Sequence, residues 1–84
     1  MHMNSTEALH PVYGPFSYTV EKATKTQPGL VEVFVDGQSI GIAKRLAGGT
    51  KWSRTVKDFR GNLFNLYYRD AAEAARAIVA DNAR

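Results

Sequence analysis

The pair Asp36-Gly37 separates two runs of alternating apolar residues. It is the strongest short hairpin signal in the chain, because both central residues of a type I′ turn need a positive φ angle. Two later segments, 47-AGG-49 and 59-FRG-61, fit three-residue hairpin loops that end on a glycine in the left-handed conformation. Successive hairpins of this kind predict an antiparallel β-meander.

The segments around these turns alternate as strands do, for example in 16-FSYTV-20 and 30-LVEVFV-35. Turn geometry then predicts the register of each hairpin. The predicted opposing pairs are Val33 with Ile40, Val31 with Ile42, Lys44 with Trp52, Arg45 with Lys51, and Trp52 with Tyr68. One face of this sheet is apolar and serves as the predicted core face. Its members after the first hairpin are Trp52, Val56, Phe64, Leu66 and Tyr68, with Arg54 as the one misfit.

A C-terminal helix follows the last strand. The run 70-DAAE-73 is a capping box, and the alanines with Ile78 form one helical stripe that suits close packing on a sheet. The predicted fold is α+β, an antiparallel β-meander of four to five strands with one C-terminal helix packed on one face. Residues 1–12 are predicted to form a flexible N-terminal leader, and residues 13–84 a single domain.

Composition restricts the class of protein. A chain of 84 residues with 44% hydrophobic residues suits one folded domain. It has no cysteine, which excludes disulfides and thiolate sites. No apolar run has the length of a membrane span, and the predicted location is the cytoplasm.

The titratable residues give little support to catalysis. Both histidines fall in the predicted leader, and the carboxylates are scattered singly, where helix caps and turns explain them. Neither a catalytic triad nor a metal-binding cluster can be placed on the predicted fold. The prediction is therefore a protein that is not an enzyme and that binds no cofactor and no metal.

Positive charge is concentrated in one block. Residues 41–69 carry seven Lys and Arg against Asp58 alone, a net charge of +6, whereas the two flanking segments are slightly acidic. On the predicted uncovered face, Arg45 and Lys51 are like charges directly opposite each other, an arrangement that an anion between them would relieve. The predicted nucleic-acid-binding residues are Arg45, Lys51, Ser53, Thr55, Lys57, Arg60, Asn65 and Tyr67. They predict a small non-enzymatic nucleic-acid-binding or regulatory protein that uses a basic sheet face. Duplex DNA is the favoured ligand.

Two alternatives stay open for the same face. It is either an ordinary solvated sheet face, or a protein-interaction surface used by an interaction module or inhibitor that is monomeric or homodimeric. The predicted protein-interface residues are Leu30, Phe34, Leu63 and Tyr67.

Glycine, tryptophan and aromatic positions in the second half also follow a known pattern. These positions are Gly49, Trp52, Gly61, Phe64, Tyr68 and the helical run from Asp70 to Ile78. Residues 49–79 thereby resemble the N-terminal arm-binding domain of tyrosine recombinases and the plant ethylene-response-factor DNA-binding domain, each with three strands and a helix. The resemblance implies that the uncovered face enters the major groove through Arg45, Lys51, Ser53, Thr55 and Lys57.

The chain departs from that pattern in two ways. Arg54 occupies a position where those families have a small apolar residue, and the strands at 16–20 and 30–35 are additional. The sequence leaves two environments open for Arg54, an ion pair with Glu73 or a position past the helix in solvent.

Overall fold

The computed structural model describes residues 5–83, so the part of the predicted leader at residues 1–4 lies outside the described residues. The fold is α+β, with one antiparallel sheet in the order β1-β2-β3-β4-β5-β6 and one C-terminal helix. The elements are β1 Ser5–His10, β2 Gly14–Glu21, β3 Gly29–Val35, β4 Gln38–Arg45, β5 Trp52–Lys57, β6 Leu63–Tyr68 and α1 Ala71–Asn82.

The sheet has six strands rather than the predicted four to five, because residues 5–10 of the predicted leader form β1. This strand pairs with β2 over its whole length. The imidazole Nδ1 of His10 accepts hydrogen bonds from the backbone N–H groups of Val12 and Tyr13, at 3.1 and 3.2 Å, and so holds the connecting turn together. His10 is thus the last residue of β1 and closes the turn into β2.

Helix α1 covers one face of the sheet and lies mainly over β3 and β4. Its N-cap is Asp70, whose carboxylate accepts a hydrogen bond from the backbone N–H of Glu73 at 2.8 Å. The Glu73 carboxylate accepts from the backbone N–H of Arg69, one residue before the predicted partner. The buried core comprises Phe16, Val31, Val33, Ala43, Trp52, Ala74, Ala75, Ile78 and Val79.

A β-bulge changes the predicted register of the first hairpin. The Asp36-Gly37 turn has the expected positive φ angles of 52° and 76°, and Phe34 pairs with Ser39, as a two-residue turn requires. Beyond that pair the register shifts, and Val33 lies opposite Gly41 rather than Ile40. Because a one-residue shift exchanges the two faces of a strand, Ile42 turns away from the helix and becomes exposed.

The same shift reaches the second hairpin. Arg45 lies opposite Trp52, and Lys44 lies opposite Ser53, so the predicted pairs of Lys44 with Trp52 and Arg45 with Lys51 are wrong. The third hairpin is as predicted, with Gly61 at φ 84° and Trp52 opposite Tyr68. Two members of the predicted core face, Phe64 and Leu66, are exposed because α1 lies mainly over β3 and β4 and packs against β6 only near Tyr68.

Candidate nucleic-acid interface

The sheet face opposite α1, called here the open face, carries most of the predicted binding residues. Trp52 is buried beneath the helix, so alternation along β5 places Ser53, Thr55 and Lys57 on the open face. Cross-strand pairing then places Tyr67, Asn65 and Leu63 of β6 beside them, and Lys44 of β4 beside Ser53. The open face of β4 to β6 thus consists of Ser39, Ile42, Lys44, Ser53, Thr55, Lys57, Leu63, Asn65 and Tyr67.

Arg45 belongs to the other side of the sheet. It is paired with Trp52 and half-buried, and its Nε donates a hydrogen bond to the carbonyl oxygen of Gly49 at 2.7 Å. The prediction that Arg45 and Lys51 face each other on the open face is therefore wrong. Lys44, which was not among the predicted site residues, takes the open-face position instead.

Four exposed cationic side chains surround the open face of β4 to β6. This group, Lys44, Lys51, Lys57 and Arg60, is called the basic end. Within residues 5–83, none of these four forms an ion pair. Arg60 stacks its guanidinium over the exposed ring of Phe59, 5.3 Å from the ring centroid.

Asp58 is the one acidic residue between positions 41 and 69, and its carboxylate is engaged in the turn between β5 and β6. It accepts hydrogen bonds from the backbone N–H groups of Arg60 and Asn62, at 2.8 and 2.9 Å. These two hydrogen bonds close the turn that presents Arg60, and the Asp58 carboxylate makes no ion pair with any described cation.

Polar groups lie between the cations. The Thr55 hydroxyl donates to Oδ1 of Asn65 at 2.8 Å, which directs the side-chain amide oxygen toward β5 and keeps the NH₂ group as a donor. Ser53 is half-buried beside Lys44, and the Tyr67 ring is 63% exposed. Hydroxyl, amide and aromatic groups of this kind contact phosphates, base edges and base faces.

Negative charge occupies the opposite end of the open face. Glu7, Glu21 and Glu32 lie on it in β1, β2 and β3, as their cross-strand partners show. The Ser39 hydroxyl donates a hydrogen bond to the Glu32 carboxylate at 2.8 Å, at the boundary between the two ends. The open face is therefore divided into an acidic end and a basic end, which the sequence indicated only as a net charge per segment.

Strands β4 and β5 separate beyond the pair formed by Lys44 and Ser53. A groove of about 420 Å³ opens between them, with Ile42, Thr55 and Ile78 among its walls. Arg54 also lines it, and its Nε donates to the Tyr68 hydroxyl at 2.9 Å while its NH2 pairs with the Asp81 carboxylate. Burial works to lower the pKa of Arg54, but the hydrogen bonds to Tyr68 and Asp81 outweigh it and raise the pKa above its usual value.

The predicted protein-interface residues do not form one cluster. Leu30 and Phe34 are half-buried on β3, whereas Leu63 and Tyr67 are exposed on β6, two strands beyond β4. Ile42, between them and 45% exposed, was missed because the bulge turns it outward. Its neighbour Gly41 was the available signal, since a glycine inside a strand often marks a bulge or a close approach.

Residues 5–83 hold no group of three His, Asp or Glu side chains that could bind a metal ion. They also hold no helix that is long and apolar enough to cross a membrane.

Comparisons of the chain with models of protein families, with curated proteins and with solved structures give no match. The resemblance of residues 49–79 to the arm-binding and ethylene-response-factor domains therefore stays a prediction.

Proposed function

We propose that this chain binds duplex nucleic acid, with DNA as the favoured ligand, through the basic end of its open face. The proposed role is regulatory and cytoplasmic, without catalysis. The observation that carries the proposal is the set of four exposed cations that have no ion-pair partner among the described residues, grouped around hydroxyl and amide groups. These cations would displace the counterions condensed on the phosphates, and the released ions supply most of the binding free energy.

The division of charge on the open face supports an orientation for the duplex. A polyanion is attracted to the basic end and repelled by Glu7, Glu21 and Glu32 at the far strands. The contact is therefore proposed for β4 to β6 rather than for the whole sheet. A two-stranded β-ribbon fits the major groove, and the β5–β6 hairpin with its Arg60-bearing turn is the ribbon available here.

The proposed roles follow from the side-chain chemistry. Lys44, Lys51, Lys57 and Arg60 contact phosphates and position the duplex. The Asn65 amide, the Thr55 hydroxyl and the Tyr67 ring lie between them and meet base edges or sugar. Arg45 is removed from the predicted site, because it is half-buried on the other side of the sheet.

Fluorescence anisotropy of a labelled duplex over a series of salt concentrations tests the proposal. With up to four phosphate contacts, log K should fall against log salt with a slope of about −3 to −4. Lys44→Gln and Lys57→Gln should each reduce that slope by about 1 and weaken all sequences alike. The matched control is Lys22→Gln, the same charge change at an exposed residue between β2 and β3. Absent binding, or an equal effect of Lys22→Gln, refutes the proposal.

A second candidate function, protein interaction, is favoured by a separate observation. Phe59, Leu63 and Tyr67 are 92%, 67% and 63% exposed, so the β5–β6 hairpin presents three large apolar side chains to solvent. Concentration-dependent association without nucleic acid is the expected property of such a surface.

A further inference from the structure

Strand β6 is a bare edge of the sheet. It pairs with β5 on one side, and no described strand pairs with its other side. The backbone N–H of Asp58 donates to the carbonyl of Asn62, which fixes the alternation of the ladder. By that alternation, Phe64, Leu66 and Tyr68 direct their backbone groups toward β5. Leu63, Asn65 and Tyr67 direct theirs to the free edge.

This edge lacks the protections that edge strands usually carry. Its sequence 63-LFNLYY-68 has no charge and no proline, and its register against β5 has no bulge. The side chains of residues 63–67 are exposed on both faces of the sheet, and Tyr68 is half-buried against α1. The opposite edge, β1, is different, because it carries Glu7 and is followed by Pro11.

The edge of β6 is complementary to itself. Antiparallel pairing requires that outward-directed residues of one strand meet outward-directed residues of the other. Centring the pairing on Asn65 meets this condition and places Leu63 opposite Tyr67 of a second copy. The same register places Phe64 opposite Leu66, so every apolar residue within this span meets an apolar residue and Asn65 meets Asn65.

Charges at the two ends of this register are also complementary. The turn that carries Arg60 extends past the end of β6 and meets the junction of β6 and α1 in the second copy, where Asp70 lies. Arg69 at the same junction is paired with Glu73, so Asp70 leaves this junction with a net negative charge. The two-fold symmetry repeats this contact at the other end. The like charges of the two basic ends repel each other only weakly. The two β5 strands would be separated by three strand spacings, about 14 Å. This distance exceeds the Debye length of about 8 Å at physiological salt.

We propose that the chain forms a homodimer in which two copies of β6 pair antiparallel about Asn65 and join the two six-stranded sheets into one. The two helices then lie on the same side, and the two open faces form one continuous surface with both basic ends near its centre. The dimer rests on the second candidate function, protein interaction, and does not depend on nucleic-acid binding.

Substitutions at the symmetry axis test the dimer and its register together, with light scattering in the absence of nucleic acid as the measurement. The wild-type chain should reach twice its mass of 9.3 kDa as concentration rises. Asn65→Lys and Asn65→Asp should each give monomers, because identical charges then lie directly opposite each other. An equimolar mixture of the two variants should restore the dimer. Ser39→Lys, on the exposed open face of β4, is the control and should dimerise as the wild type does.

A disulfide provides a second measurement that does not depend on affinity. Because the chain has no cysteine, Asn65→Cys should form an intermolecular disulfide under oxidation, since opposed residues of paired strands lie within disulfide reach. Ser39→Cys should not. A wild-type chain that is monomeric at all concentrations overturns the proposal. A dimer that survives both Asn65 substitutions, or variants that fail to associate on mixing, also overturns it.

Discussion

The guanidinium Nε of Arg54 donates a hydrogen bond to the hydroxyl of Tyr68, 2.9 Å away, on the face of the sheet that α1 covers. The same guanidinium pairs with Asp81 near the end of the helix. Neither environment that the sequence left open, Glu73 or solvent, is the observed one. Arg54 instead links β5, β6 and α1, and its hydrogen bonds to Tyr68 and Asp81 raise its pKa against the opposing effect of burial.

Removal of the Arg54 contacts with Tyr68 and Asp81 should destabilise the fold. Arg54→Met should lower the free energy of unfolding by about 1–3 kcal/mol, and Tyr68→Phe by about 1 kcal/mol. The double variant should lose less than the sum, by about 1 kcal/mol, because the two side chains share one hydrogen bond. Urea unfolding measures all three. Strict additivity would show that the hydrogen bond contributes nothing.

Arg69 provides the control for charge, because it is almost fully exposed and pairs with Glu73 on the surface. Arg69→Met should change the free energy of unfolding by less than about 1 kcal/mol.

The stabilisation by Arg54 should not depend on pH in the ordinary range. Its pKa is raised in the folded state, so the contribution of its charge to the free energy of unfolding is complete below the unfolded-state pKa. That contribution is lost only as pH rises through the still higher folded-state pKa. The effect of Arg54→Met should therefore be the same at neutral and mildly alkaline pH.

A second stability prediction concerns the contact between Gly41 and the helix. A Cβ at this position would lie 2.8 Å from Cγ2 of Ile78, a branched methyl group with little rotamer freedom in a helix. Gly41→Ala should therefore cost about 1–3 kcal/mol of unfolding free energy. Ile78→Ala removes that methyl group and should cost about 2–4 kcal/mol alone, yet the double variant should cost clearly less than the sum. Thermal or urea unfolding that shows simple addition would contradict this contact.

This contact also explains why the register of the first hairpin could not be predicted from the sequence. The turns at Asp36-Gly37 and Gly61 were predicted because each needs a specific residue at a positive φ angle, which is a local property. The bulge after Phe34 is not local. Because Gly41 has no side chain, the shifted register lets Ile78 of the helix approach β4 closely. The alternation of Ile40 and Ile42 in β4 favours the unshifted register instead.

The two edge strands were misjudged for related reasons. The sequence STEALH of β1 is polar and has weak strand propensity, so its order depends on pairing with β2 rather than on its own pattern. The apolar residues Phe64 and Leu66 of β6 predict burial, but α1 lies over β3 and β4. Sequence patterning indicates which residues can be buried, whereas the position of the helix decides which ones are.

The divided open face leads to a prediction about acidic residues. Glu32 lies two strand spacings, about 10 Å, from the proposed phosphate contacts of β5, where its charge repels a duplex by about 0.4 kcal/mol. Glu32→Gln should therefore raise the affinity for duplex about twofold at low salt, measured by anisotropy. Glu21→Gln, one strand farther away, should have a smaller effect. An affinity that Glu32→Gln leaves unchanged or lowers would place the duplex elsewhere.

The most direct test of the proposed function is a titration of the isotope-labelled protein with duplex DNA, followed through its backbone amide NMR signals. The account predicts that signal changes concentrate at Lys44, along β5, and in the turn that carries Arg60, while β1 and β2 with their acidic residues stay unchanged. Changes that are absent at saturating duplex, or that centre on α1 or on β1 and β2, would contradict it.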